Sequence, residues 1–274
     1  MNRFDGKTVV ITGASAGIGE SCVRKFVAEG ARVVLAARSV EPLQRLVEEL
    51  GSDVTHPVPS DVSDRTACER LVSEAMSRFG SLDVLVNNAG FNSRGPLEEL
   101  SMDSMLQILD VNLRGPMMLT KLALPIMRSQ DSGTIVNVAS LTGRFPLDDE
   151  ATYSATKFGL RVFSFALAEE LRETNVRVAV VSPGPVETGF ILDDSIIDEV
   201  PDLVFSQPMS TADEIADLVL ASAADGARER TKPALSAKLA TMGYLFPGLR
   251  RSLIPLLERK GRAAKKKYLA RRSR

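Results

Sequence analysis

The stretch Thr8-Val9-Val10-Ile11-Thr12-Gly13-Ala14-Ser15-Ala16-Gly17-Ile18-Gly19 starts as a short apolar run and ends in closely spaced glycines. Thr8–Ile11 predicts a strand, and Ile18–Glu29 follows with helical periodicity until Gly30 stops it. Glycine at such a strand-to-helix turn lets backbone N–H groups approach a pyrophosphate with no Cβ in the way. The helix amino terminus beyond it favours negative charge. Taken alone, the same turn could serve an ordinary β–α connection, so the rest of the chain has to decide.

Outward from that turn the alternation repeats. Arg32–Ala36, Val54–Val58, Val84–Asn87, Thr134–Val138 and Arg177–Ser182 are further apolar runs, rich in Val, Ile and Leu as strands buried on both faces require. Helical stretches separate them at Glu41–Leu50, Asp64–Phe79, Ser101–Arg128 and Ala151–Thr174, with capping side chains in Ser63-Asp64 and in Ser101-x-Asp103 and a stop at Gly80. Repeated β-α units with right-handed crossovers predict an α/β fold, a single doubly wound parallel sheet of about seven strands with helices on both faces. Residues 183–210 hold four prolines and two glycines and read as a long lid over a site. A capped helix is expected from Thr211 to about Ala224, then a short edge strand within Ala227–Lys232. The division expected is a domain of residues 1–232, lid included, and an apolar and basic amphipathic extension of residues 233–274.

Composition removes several chemistries. His56 is the only histidine and lies among prolines in His56-Pro57-Val58-Pro59, so neither a histidine-based nucleophile triad nor a zinc site is expected. Cys22 and Cys68, each on a helical stretch, read as buried thiols of a reducing compartment. Residues 1–6 carry no apolar run, and no stretch reaches the roughly 18 apolar residues of a membrane span, so neither a signal peptide nor a transmembrane helix is expected. The expected location is therefore the cytoplasm. The net charge of −1 conceals a strong asymmetry: residues 250–274 carry eleven Lys and Arg against the single acid Glu258.

Catalysis must then rest on Tyr, Lys, Ser, carboxylates or a cofactor. After the second strand comes Ala37-Arg38, where a fold preferring NAD would place an acid for the ribose 2′-hydroxyl. Arg38 can instead pair with a 2′-phosphate through its guanidinium fork, so the cofactor expected is NADP(H). Asp61-Val62 follows the third strand, where an adenine edge would lie, and Asn87-Asn88-Ala89-Gly90 ends the fourth, where amides can satisfy backbone groups or a ribose; taken alone, either could be ordinary turn chemistry.

The sharpest signal is Tyr153-Ser154-Ala155-Thr156-Lys157, whose i, i+4 spacing puts Tyr153 and Lys157 on one helical face. A nearby ammonium is expected to pull a phenol below its ordinary value near 10, so that Tyr153 can protonate a carbonyl oxygen as hydride reaches the carbon. Ser140, at the end of the fifth strand, can hydrogen-bond the same oxygen. Asn112 stands in the middle of a helical stretch, an unfavourable place for an amide without a task.

With these motifs in this order, residues 6 to about 225 resemble the short-chain dehydrogenase/reductase family, whose fold is Rossmann-like. The matching motifs include Ser182-Pro183-Gly184-Pro185-Val186-Glu187-Thr188. The resemblance implies Tyr153 as general acid/base, Lys157 also on the nicotinamide ribose, Ser140 positioning the carbonyl, and Asn112 supporting a proton-relay water. It implies a cofactor site of Gly13, Ser15, Ala16, Gly17, Ile18, Gly19, Arg38, Asp61, Val62, Asn88, Ala89, Gly90, Tyr153, Lys157, Pro183 and Gly184, with Val186 and Thr188 beside the carboxamide. It implies a homodimer or homotetramer through the two longest helices. One departure is Ala16, where many NADP-preferring members carry a base; specificity then rests mainly on Arg38, with some use of NADH.

The extension is open to several readings. Leu239–Leu249 is uncharged and precedes Arg250-Arg251, so Phe246, Leu253, Ile254 and Leu256 can lie in a membrane interface with the bases on anionic lipid. The protein would then be peripheral on the inner face of a membrane. Alternatively the apolar part closes the domain or a dimer partner. Only Tyr268 stands among the bases as a stacking ring, which disfavours nucleic acid. A looser resemblance, through Pro247-Gly248-Leu249 and the basic end, is to the family's membrane-associated steroid dehydrogenases and acyl-dihydroxyacetone-phosphate reductases; it implies a lipophilic carbonyl substrate. The alternatives are a soluble reductase of small ketones or 3-oxoacyl-carrier substrates, and a non-catalytic NADPH-binding scaffold.

Overall fold

A computed structural model describes residues 2–272. Seven parallel strands form one sheet in the order β3-β2-β1-β4-β5-β6-β7. They are β1 (Thr8–Thr12), β2 (Arg32–Ala37), β3 (Thr55–Pro59), β4 (Val84–Asn87), β5 (Gly133–Val138), β6 (Val176–Pro183) and β7 (Glu229–Lys232). The expected doubly wound sheet is therefore the fold observed. Pro57 and Pro59 fall where prolines do least harm, on β3, an edge strand.

Side chains alternate across the strands and so divide the core into two layers. Val9, Ile11, Val33 and Leu35 pack with α1 (Gly17–Ala28), α2 (Val40–Leu50) and α9 (Ala212–Asp225). Val10, Val34 and Ala36 pack on the other face with α3 (Arg65–Phe79), α5 (Gly115–Ser129) and the carboxyl end of α6 (Ala151–Glu170). The caps are local and legible: Asp64 accepts from the Thr66 amide, Ser101 from the Ser104 amide, and Thr211 with Glu214 forms a capping box. Cys22 and Cys68 are buried free thiols, and burial raises both above their ordinary value.

The structure corrects the expected continuous helix Ser101–Arg128. It is α4 (Met102–Leu109), a π-helical turn Asp110–Arg114, and then α5. A π turn inserts one extra residue into the helical ladder and rotates the side chains after it. Here it buries the Asn112 amide completely, against the loop that follows β4.

Beyond β6 the lid forms α7 (Gly189–Leu192), a 3₁₀ turn Ile197–Glu199 and α8 (Asp202–Phe205). The extension is helical too: α10 (Ala234–Leu245) and α11 (Pro247–Arg272). The second half of α11 closes onto the lid. Ala264, Tyr268 and Leu269 pack on Ile197, Val200 and Phe205. Gly261 permits the approach, since a Cβ there would fall 1.8 Å from the Asp202 carbonyl oxygen. Arg262 pairs with Asp202 at 2.9 Å, and the Lys265 ammonium donates to the Asp198 and Val200 carbonyls at 3.1 and 3.0 Å. By contrast Leu235, Leu239, Leu245 and Phe246 of the α10 region, with Leu253 and Leu256 of α11, are exposed. Among the tail's bases, Arg274 lies outside the described residues, as do the side chains of Arg250, Arg271 and Arg272. No described helix is long and apolar enough to cross a membrane.

Candidate active site

The strand order reverses between β2-β1 and β1-β4, and at such a switch point adjacent crossovers leave on opposite faces and open a crevice at the strands' carboxyl ends. A cleft of about 490 Å³ occupies that place, within the usual range for small-molecule sites. Gly13, Ser15, Ala16, Gly17 and Ile18 line it, with Arg38, Asp61 and Val62 and with Asn88, Ala89 and Gly90. Ser140, Tyr153 and Lys157 stand at the inner end, facing Pro183, Gly184, Val186 and Thr188. Of the residues singled out from sequence, Gly19 and Asn112 stand behind the cleft wall instead of lining it.

Both have packing reasons. A Cβ on Gly19 would lie 2.0 Å from the Gly13 carbonyl oxygen, so this position permits the turn to fold back on its own helix. The turn is also held from β4. The Thr12 hydroxyl accepts from the Asn88 and Ala89 amides at 3.0 Å each, and the Asn88 carboxamide donates to the Thr12 carbonyl at 2.9 Å and the Gly13 carbonyl at 3.3 Å. The Asn88 side chain thus supports the glycine turn. Asn112 accepts from the Phe91 amide at 2.8 Å and donates to the Phe91 carbonyl at 2.7 Å. It also donates to Thr156 at 3.4 Å, whose hydroxyl bonds the Tyr153 carbonyl at 2.7 Å. A fully buried amide with both of its functions satisfied fixes one geometry; this one registers the β4 loop against α6.

The sequence did not reveal a second polar chain beneath α6. Asn87 donates to Asn137 at 2.8 Å, Asn137 to Ser164 at 2.8 Å, and Ser164 to the Leu160 carbonyl at 2.7 Å. It ties β4, β5 and α6 together. Arg94, Thr142, Glu150 and Ser60 also line the cleft, and no sequence pattern marks them.

Electrostatics differ across the site. Arg38 is exposed at the cleft rim and makes no hydrogen bond or salt bridge with the described residues. Burial works against ionised Asp61, but hydrogen bonds from the Ser63 hydroxyl and amide, with the Arg38 charge, hold its carboxyl below the usual range. At the inner end, burial and then the Glu150 carboxylate push the Tyr153 phenol above its ordinary value. A hydrogen bond with Ser140 and the Arg94 charge offset part of this. The expected lowering by Lys157 is absent: its ammonium lies 5.6 Å from the Tyr153 ring centroid and donates to the Val138 carbonyl at 3.1 Å. The phenol is therefore held protonated, and loss of its proton needs a compensating charge nearby.

Burial lowers Lys157 to about 8. Measured against its ordinary value of 10.5, that is a penalty of roughly 3 kcal/mol on the folded protein at pH 7. Between about 8 and 10.5 the unfolded chain binds more protons at this site than the folded one, so stability rises with pH across that window. Lys157→Met is accordingly expected to stabilise the fold by roughly 1–3 kcal/mol at pH 7, the lost bond to Val138 taking back part of the gain. The advantage should fade as pH approaches 10.5. Urea unfolding of both proteins at pH 7 and pH 10 measures this, and an equal advantage at both pH values would contradict it.

Among known proteins, the family model for short chain dehydrogenases matches residues 7–194. An uncharacterized oxidoreductase of Staphylococcus aureus (strain USA300) is 37% identical over 188 residues, 69% of this chain and 81% of that protein. An uncharacterized oxidoreductase of Staphylococcus saprophyticus is 37% identical over 190 residues, 69% of this chain and 77% of that protein. A metagenomic short-chain oxidoreductase, solved in complex with NADP, aligns with a TM-score of 0.71 at 33% identity, over 84% of this chain and 97% of that one. Sequence over two thirds of the chain and backbone over more than that agree, and the chain belongs to the short-chain dehydrogenase/reductase family.

Proposed function

We propose that this protein is an NADP(H)-dependent reductase that converts a ketone to an alcohol, acting on a lipophilic substrate at a membrane surface. The observation that carries the chemistry is the buried Tyr153–Lys157 pair beside Ser140, in one cleft with the glycine turn and Arg38. The residues present fit a dinucleotide. Alanine at Gly17 would crowd the Thr188 side chain at 3.1 Å, and the α1 amino terminus has no side-chain cap competing for its amides. The Ser60 hydroxyl is buried in the cleft wall without a partner among the described residues. The cofactor would supply the hydride. The backbone of the glycine turn and the amino end of α1 would receive the diphosphate, and Arg38 the 2′-phosphate. Ser140 then orients the substrate oxygen, Tyr153 gives it a proton, and the Lys157 ammonium stabilises the phenolate left behind.

Arg38 tests the cofactor assignment. Arg38→Ala is expected to raise the KM for NADPH by roughly 30–100-fold, the loss of one charge-assisted pair, and to leave the KM for NADH nearly unchanged. Equal loss with both nucleotides would refute the 2′-phosphate role.

The substrate reading rests on the cleft's apolar wall, Leu141, Leu147, Phe190, Ile191, Val200 and Val204, and on the exposed leucines and Phe246 of α10 and α11. Flanked by bases, those exposed residues suit an anionic bilayer. A homodimer or homotetramer through α4–α5 and α6 fits the exposure of Leu106, Met117 and Val162 on those helices. NADPH oxidation with 2-alkanones of increasing chain length, with and without phosphatidylglycerol vesicles, tests the substrate reading. Turnover should rise with chain length and with vesicles. Turnover confined to short ketones and indifferent to vesicles would favour a soluble reductase.

A further inference from the structure

Arg94 and Glu150 form an ion pair whose charges bear on the Tyr153 phenol but whose placement the proposed chemistry does not account for. Their side chains are 5% and 4% exposed, and the Arg94 Nε donates to Glu150 Oε1 at 2.8 Å. Burying two charges carries a desolvation cost that their attraction need not repay, so such a pair is weak evidence of a stabilising role. Its position points to a different one. Glu150 is the residue at the amino end of α6, three positions before Tyr153, and Asn92 donates to the same carboxylate oxygen at 3.1 Å. The neighbouring backbone is tied as well, since the Gly95 amide donates to the Asp149 carbonyl at 3.0 Å.

The other side of the guanidinium faces the lid. Arg94 Nη2 donates to the Phe190 carbonyl at 3.3 Å, and the guanidinium carbon lies 5.6 Å from the Phe190 ring centroid. That ring in turn lies 6.0 Å from the Tyr153 ring, tilted by 43°. Phe190 belongs to α7, a single helical turn with no buried residue of its own. The carboxyl end of α7 and the lid beyond it are anchored differently, since Ile191 and Leu192 pack on the apolar cluster that includes α11. The first turn of the lid thus reaches the catalytic helix through Arg94.

We propose that Arg94 is a positioning residue. It latches α7 to the amino end of the catalytic helix and so holds Phe190 against Tyr153 as one wall of the substrate site. Glu150 serves as its counter-charge and aims it. The kinetic consequence rests on the reading of Tyr153 as proton donor, whereas the latch itself does not, and the two can be measured apart.

Hydrogen–deuterium exchange on the full-length protein reads the latch without any substrate. In Arg94→Met, amides of α7 (residues 189–192) should exchange about tenfold faster, the equilibrium effect of losing one charge-assisted hydrogen bond, while those of residues 197–205, held by α11, should change less. Peptides covering β1 and β5 should be unchanged. Arg94→Lys, which keeps the charge but not the fork, should fall between the two. Glu150→Gln, nearly isosteric and still an acceptor, should loosen the same amides by less, and it carries the test if the methionine variant fails to fold. Lid exchange equal to wild type in both Arg94→Met and Glu150→Gln would overturn the proposal; so would acceleration spread evenly over the sheet. With any 2-alkanone that turns over, Arg94→Met should raise KM about tenfold as the Phe190 wall is displaced, with a smaller fall in kcat from loss of the Arg94 charge near Tyr153. A fall in kcat at constant KM would contradict the positioning role. Failure of every ketone to turn over would count against the reductase reading and leave the exchange result to decide the latch.

Discussion

Tyr153→Phe is expected to lower kcat for ketone reduction by about 10³-fold while changing nucleotide affinity little, in keeping with the 10²–10⁴-fold typical of a positioned general acid. The substitution removes one oxygen from a residue that is 8% exposed and keeps the ring against Phe190. The packing of α6 should therefore survive, and the loss should fall on chemistry. The environment explains the size of the effect. Burial and Glu150 make the phenol reluctant to lose its proton, so donation depends on a charge that can meet the phenolate. Donation creates an anion at a buried side chain, and the Lys157 ammonium is the nearby charge that can meet it. Steady-state rates with NADPH, together with fluorescence titration of NADPH, separate the two quantities. A kcat within threefold of wild type (roughly 0.6 kcal/mol) would remove Tyr153 from the reaction.

Gly19→Ala is expected to have the largest effect on stability. Its new methyl would lie 2.0 Å from the Gly13 carbonyl oxygen and 2.7 Å from the Asn88 amide nitrogen. Neither can retreat easily: Gly13 is backbone, and the Asn88 carboxamide is committed to Thr12 and Gly13. Relief requires the turn to separate from β4, at a cost on the order of 3–5 kcal/mol, which is a large part of a typical domain's 5–15 kcal/mol. Nucleotide binding should disappear with it, because the same turn lines the cleft. Gly189→Ala is the control. A Cβ there meets nothing within 4 Å, and the residue begins a helix, so the change should be neutral or slightly stabilising. Equal midpoints of urea unfolding for Gly19→Ala and wild type would show that the turn yields more readily than its contacts imply.

How much of this was legible in the sequence depended on the range of the interaction. The strands could be read because each is a nearly continuous apolar run, and the caps at Asp64, Ser101 and Thr211 because a cap acts within three residues. Tyr153 and Lys157 declared themselves by spacing on one helix. The π turn at Asp110–Arg114 was hidden, since those residues carry ordinary helical propensity and a shift from i+4 to i+5 bonding leaves no periodic trace over five positions. Only the awkward Asn112 hinted at it. The Arg94–Glu150 pair joins two loops 56 residues apart, and no local pattern connects them. The direction of the Tyr153 shift departs from the sequence expectation for a related reason. Spacing indicates the ammonium, but burial and the charge of Glu150 follow from packing that a helical wheel does not show. In the extension, Ala264, Tyr268 and Leu269 form a short helical stripe facing the lid, masked in the sequence by the bases around it.

The most direct test is a crystal structure of the full-length protein with NADP⁺. The expected result has the diphosphate on residues 13–19, the 2′-phosphate at Arg38, and the nicotinamide end against Tyr153 and Lys157. A nucleotide bound elsewhere, or one whose nicotinamide lies away from the Tyr153 hydroxyl, would contradict the account.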